Sequence, residues 1–160
     1  MKKKIREKKH RLEPEFYLGI KAVSFTLCIK EMKKVFTNQN IFRDFEEILN
    51  REMEKSFCDS LIYLFMPDHI HLILQGKEDH SNVLKCVYSF KQKTGYWLSQ
   101  NIPDIKWQKD FYDHIIRNEE DFRNQLSYIL NNPVRKGLVD EWQDYKFKGS
   151  TIYDLDELEV

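Results

Sequence analysis

Apolar side chains in this chain recur with two different periods, and the switches between those periods mark out its elements. Residues 21–30, KAVSFTLCIK, alternate and are rich in β-branched and aromatic side chains, which predicts a strand. NQNIFRDFEEILNREMEKSF follows, with Ile41, Phe45, Ile48, Leu49 and Met53 at helical spacing. DSLIYLFMPDHIHLILQG then reads as two strands, over 59–65 and 68–75, broken at Pro67, which has no N–H to give a ladder. A second helix is expected from Ser81, the candidate N-cap, to Gln100, with Val83, Val87, Phe90 and Trp97 along one side. IKWQKDFYDHIIRN alternates again and predicts the last strand. Asn118 opens a third helix whose first turn is acidic, and Pro133 closes it.

The order is strand, helix, strand, strand, helix, strand, helix. Its first six members match the split β-α-β-β-α-β arrangement, an α+β, ferredoxin-like antiparallel sheet with both helices on one face. The opposite face is left for ligands and for the added C-terminal helix. A basic arm over 1–16, a folded domain over 17–145 and an acidic tail over 146–160 are the expected divisions.

Composition narrows the class. The chain has 160 residues, 41% hydrophobic and 14% aromatic, enough for one domain with a real core. No apolar run is long enough to span a membrane, and the basic N-terminus lacks the apolar segment of a secretory signal. Cys28, Cys58 and Cys86 form no C-x-x-C pair and read as reduced, buried thiols of a cytoplasmic protein. Net charge is zero but unevenly spread: residues 1–30 carry nine Lys/Arg against three Asp/Glu, and residues 140–160 carry two against seven. Two readings of the basic arm stand side by side, a phosphate contact and a solvated tail.

The candidate chemistry starts at MPDHIHLILQG. In a strand, His69, His71, Ile73 and Gln75 share one face and Ile70, Leu72 and Leu74 the other, which is the buried one. Paired imidazoles suit a divalent cation such as Mn²⁺, Zn²⁺ or Mg²⁺ together with oxygen ligands, although solvated or hydrogen-bonded rings account for the pair equally well. Two ligands do not close a site. On the third helix Phe122, Leu126, Ile129 and Leu130 form the buried stripe. Tyr128 projects away from that stripe, with Gln125 and Asn132 about one turn to either side.

A phenol oxygen can attack a phosphodiester when a metal polarises the phosphate, and His69, His71 and the Asn132 oxygen could supply the metal's protein ligands. The plainer alternative is a surface tyrosine followed by a helix C-cap, since Asn-Asn-Pro suits a helix end. Arg117, Lys91 and Lys93 are candidate phosphate contacts, and His114 a candidate site-lining residue beside Gln125. Tyr96 is the rival nucleophile, without a partner asparagine one turn on.

MPDHIHLIL resembles the histidine–hydrophobe–histidine (HUH) motif of single-tyrosine transposases of the insertion-sequence-200-like type. WQKDFYDHIIRNEEDFRNQLSYILNNPVRKGLV is similar to the C-terminal signature of their REP-associated subgroup, in which a helix carries tyrosine, three residues, asparagine and proline. Tyr128, Asn132 and Pro133 occupy those positions, and Trp107, Gln108, Phe111, His114 and Arg117 fit the strand leading in. The resemblance covers residues 17–145. It implies a ferredoxin-like or RRM-like fold. It also implies Mg²⁺- or Mn²⁺-dependent cleavage and rejoining of single-stranded DNA near a hairpin, through a 5′-phosphotyrosine with a free 3′-OH. A noncatalytic hairpin-binding protein on the same fold is the alternative. Family members resemble dimers and the subgroup resembles monomers, so a monomer or a homodimer is implied. Asp68 departs from the pattern, standing where asparagine is common, and is expected to alter local hydrogen bonding more than ligation.

Overall fold

The sheet has five antiparallel strands: β1 (Ala22–Cys28), β2 (Cys58–Met66), β3 (His69–Gly76), β4 (Tyr112–Ile115) and β5 (Lys148–Gly149). Their spatial order is β4-β1-β3-β2-β5. The helices are α1 (Gln39–Lys55), α2 (Val83–Asn101), α3 (Glu119–Leu130) and the single turn α4 (Asn132–Arg135). This computed structural model describes residues 11–160, so most of the expected basic arm lies outside the described residues. Arg11 docks on β4, with its guanidinium 3.2 Å from the Asp113 carboxylate and 3.7 Å above the Phe111 ring.

The two sheet faces are covered differently. Val23, Phe25 and Leu27 of β1 and Ile70, Leu72 and Leu74 of β3 pack under Phe45 and Leu49 of α1 and Val87 and Phe90 of α2. This is the helical layer that the alternation predicts. On the other face Ile62, Leu64 and Ile73 pack under Leu126, Ile129 and Leu130 of α3, joined by Trp142 and Tyr145. Each such side chain contributes about 1.5–3 kcal/mol when fully removed from water. Strand β3 is therefore buried on both sides, and its two histidines are buried with it.

Local chemistry sets the ends. Asn38, Asn82 and Asn118 cap α1, α2 and α3, each side-chain oxygen accepting from a backbone N–H three residues on. Ser81 is not the α2 cap. Its hydroxyl accepts from the N–H groups of Lys77 (3.1 Å) and Glu78 (2.9 Å) and donates to the Phe57 carbonyl, knitting the turn after β3 to the end of α1. The last strand is shorter than its alternating pattern. Trp107 makes one isolated bridge to Ile29, then the chain leaves the ladder until Tyr112. Lys91 Nζ holds that excursion through the carbonyls of Gln108 (2.7 Å) and Lys109 (3.1 Å). The two-residue β5, too short to show a period, pairs with Tyr63 and Leu64 at the far edge.

Pro67 and Asp68 form the turn between β2 and β3, and neighbours pin it. The Ile29 N–H donates to the Asp68 carbonyl at 2.9 Å, and those of Val35 and Phe36 to the Pro67 carbonyl at 2.7 and 3.1 Å. All three cysteines are buried, and among the described residues no helix is long and apolar enough to cross a membrane.

Gly76, at the end of β3, tests this packing. A methyl group there would run into the Gly19 carbonyl and come within 2.7 Å of Ser81 Cβ. Gly76→Ala is expected to lower stability by about 3 kcal/mol, measured by urea unfolding, because backbone and not a flexible side chain must give way. A loss below about 0.5 kcal/mol would show that this corner is loosely packed.

Candidate active site

Cross-strand register places the histidines. Thr26 of β1 and Leu64 of β2 flank His71, while Cys28 and Met66 flank His69. Thr26 Oγ1 lies 3.1 Å from His71 Nδ1, and the Asp68 carboxylate lies 2.6 Å from His69 Nδ1. The Asp68 carboxylate can only accept, which sets the His69 tautomer, and the Thr26 hydroxyl is able to accept from His71 Nδ1–H, so that both Nε2 atoms turn the other way. The hydrogen bond from His69 holds the Asp68 carboxyl below the usual carboxylate range. Burial holds the His71 imidazole well below the ordinary histidine range, and the charges of His69 and Arg135 push the same way.

The two Nε2 atoms face each other at 3.2 Å, and the Asn132 carboxamide closes the triangle at 3.2 Å from His69 and 2.8 Å from His71. Without a cation, the amide NH₂ can donate to both lone pairs. Turned over, the same amide presents its oxygen. Two donors each about 2.1 Å from one ion and about 100° apart would stand about 3.2 Å from each other, so the spacing fits a shared divalent cation. Among the described residues no three His, Cys, Asp or Glu side chains cluster in this way, so a metal here depends on the Asn132 oxygen as third protein ligand.

Asn132 reaches the histidines because α3 stops two residues before it, at Leu130. The C-cap is Asn131, whose side chain donates to the Ser127 carbonyl at 2.9 Å. The C-cap alternative for Asn132 is thereby set aside: its side chain is buried against the imidazoles, and Pro133 sits inside the following turn α4. Tyr128 projects from the exposed side of α3, half-exposed, its ring edge-on to that of His71 at 6.3 Å between centroids. His69, His71, Tyr128 and Asn132 line one cleft of about 350 Å³ with Thr26, Met32, Tyr112 and Lys136.

Other candidates fall elsewhere. His114 shares a sheet face with Tyr112, but its Nε2 is tied to both Asp121 carboxylate oxygens at 2.9 Å, so it anchors the start of α3 outside the cleft-lining set. Gln125 is half-buried and also outside that set. The Lys91 ammonium is engaged by backbone carbonyls, and Arg117 lines a separate surface hollow with Phe16 and Lys21. Lys93 and the rival Tyr96 line a groove between α1 and α2, across the sheet from the histidines. The cations near the cleft are instead Arg135, over the Tyr128 ring, and Lys136. Sequence reasoning misses both, because it ends the helix at Pro133; continued helical spacing from Asn132 would have found them.

The chain matches the family model described as transposase IS200 like over residues 21–132. A Haemophilus influenzae relative whose name places it among the REP-associated tyrosine transposases is 25% identical over 134 residues, covering 77% of this chain and 76% of that protein. The REP-associated tyrosine transposase of Escherichia coli K12 is 34% identical over 88 residues, covering 53% of this chain and 50% of that protein. In structure, a REP-associated tyrosine transposase solved bound to a REP hairpin shares the fold, with a TM-score of 0.74 and 21% identity over 88% of this chain and 81% of that one.

The triangle can be tested without DNA. Asn132→Ala leaves two buried Nε2 lone pairs without a donor, and with chelator present it is expected to cost about 2 kcal/mol in urea unfolding. A cost below about 0.5 kcal/mol would mean that Asn132 behaves as an exposed helix end.

Proposed function

The chain belongs to the IS200-like transposase family, matched over residues 21–132, and on that footing we propose that it cleaves and rejoins single-stranded DNA beside a hairpin, using Tyr128 as nucleophile. The observation that carries this reading is the placement of the Tyr128 ring beside His71, in the cleft where His69, His71 and Asn132 converge. A phenol, two imidazole Nε2 atoms and the amide that meets them on one wall suit phosphoryl transfer.

Mg²⁺ or Mn²⁺ held by His69, His71 and the Asn132 oxygen would polarise the scissile phosphate and offset its developing charge. The chain's own groups do the rest. Tyr128 Oη bonds to phosphorus and gives its proton to solvent. The P–O3′ bond breaks, and the departing 3′ oxygen takes a proton from solvent. DNA is left joined at its 5′-phosphate to Tyr128, with a free 3′-OH. One phosphodiester has been exchanged for another, so a 3′-OH can reverse the step without an external energy source. Asp68 and Thr26 keep the imidazoles in the tautomer that faces the cleft. The acting unit is a monomer or a homodimer, and a DNA substrate fits a cytoplasmic location.

The test uses a hairpin-bearing single-stranded oligonucleotide labelled at its 3′ end, with Mn²⁺ or Mg²⁺ present. The protein should form a labelled covalent band that chelator abolishes. Tyr128→Phe should remove it, and His69→Ala or His71→Ala should slow its formation by about 10³-fold or more, while hairpin affinity stays within about threefold. A band formed by Tyr128→Phe would overturn the assignment. Tight hairpin binding with no band in the unaltered protein would favour the noncatalytic reading.

Asp68 offers a separate prediction. Asp68→Ala removes the acceptor that orients His69, and Mn²⁺ affinity measured by calorimetry should fall by about 10- to 100-fold. Unchanged affinity would mean that Asp68 does not orient His69 for ligation.

A further inference from the structure

Arg135 grips Tyr128 twice. Its guanidinium carbon lies 4.1 Å above the centre of the phenol ring, and its Nη2 donates to the Tyr128 backbone carbonyl at 2.6 Å. That carbonyl is in the last turn of α3, where backbone acceptors run out of helical donors. Both contacts originate in α4, the turn that also carries Asn132 three residues earlier.

We propose that Arg135 is a positioning residue for the nucleophile. Its guanidinium holds the half-exposed phenol in the cleft before attack, then takes up the phosphate of the 5′-phosphotyrosine until a 3′-OH returns. The proposal rests on Tyr128 as nucleophile.

Three physical points carry it. An aromatic side chain that is half-exposed samples several rotamers, and a cation stacked on its face narrows that choice. A guanidinium is a planar fork that can hold a carbonyl with one N–H and meet phosphate oxygens with others, which an ammonium on a flexible stem does less well. And a metal-binding amide and a ring-holding cation on one short turn move together, so displacement of α4 would disturb ligand and nucleophile at once. The contribution does not depend on Arg135 being a DNA contact in the unreacted complex.

The experiment compares Arg135→Gln and Arg135→Lys with the unaltered chain. Glutamine removes the charge and falls short of the Tyr128 carbonyl, whereas lysine can still donate to it, so a role limited to finishing α3 would be restored in full by Arg135→Lys. With Mn²⁺ and the hairpin oligonucleotide, Arg135→Gln is expected to lower the single-turnover cleavage rate at least about tenfold, with hairpin Kd within about twofold, because small misplacements of a nucleophile are costly. Resealing from preformed adduct should slow as well, and Arg135→Lys should recover part of both rates. A second readout needs neither DNA nor metal: in protein carrying 3-fluorotyrosine, the Tyr128 fluorine resonance should shift in Arg135→Gln while that of Tyr96 stays in place. Unchanged cleavage and an unmoved resonance would overturn the proposal. Equal loss of cleavage and hairpin affinity would also overturn it, marking Arg135 as an ordinary phosphate contact. An unaltered chain that forms no adduct would remove the reading on which the proposal rests, while the fluorine shift would still report the contact itself.

Discussion

The packing of α3 across β2 and β3 is the constraint from which the rest of the site follows. Leu126, Ile129 and Leu130 close over Ile62, Leu64 and Ile73, so a face that an open ferredoxin-like sheet would leave wet becomes a second core. Two histidines at the end of that face lose their water. Burial is tolerable because Asp68 and Thr26 accept from the Nδ1 atoms and Asn132 meets the Nε2 atoms. The hydrogen bonds that make the imidazoles safe to bury also aim their remaining lone pairs at one point. Neither strand nor helix could assemble that point alone.

Much of this was legible in the sequence, for reasons that can be named. Period-3.6 patterns mark α1 and α2, alternation marks β1, the apolar runs of β2 and β3 are cut to strand length by Pro67, and the H-x-H spacing guaranteed that both rings shared a face. The position of Tyr128 off the apolar stripe of α3 was a matter of geometry, and the ring is indeed half-exposed. The family was legible from the two motifs together.

What the sequence concealed was tertiary. Nothing local distinguishes Ser81 from Asn82 as a cap; the choice depends on the Phe57 carbonyl lying within reach of one hydroxyl. Lys91 was a candidate phosphate contact, but the excursion before β4 brings two backbone carbonyls to it. His114 fitted a site-lining role by alternation, but Asp121 of the next helix claims it. The cations near the cleft, Arg135 and Lys136, sit just beyond the asparagine, where a helix end was expected to dissolve into loop. Near-zero net charge is compatible with this arrangement, because what the chemistry needs is a few cations at one cleft and not a basic surface.

The central claim is that the phenol of Tyr128 is joined to DNA. Protease digestion of the complex trapped on a hairpin oligonucleotide, followed by tandem mass spectrometry, tests it most directly. The account predicts a nucleotide 5′-phosphate attached to the peptide containing Tyr128, with fragment ions placing it on that side chain. A nucleotide on Tyr96, or on any residue outside the cleft that His69, His71 and Asn132 line, would contradict it.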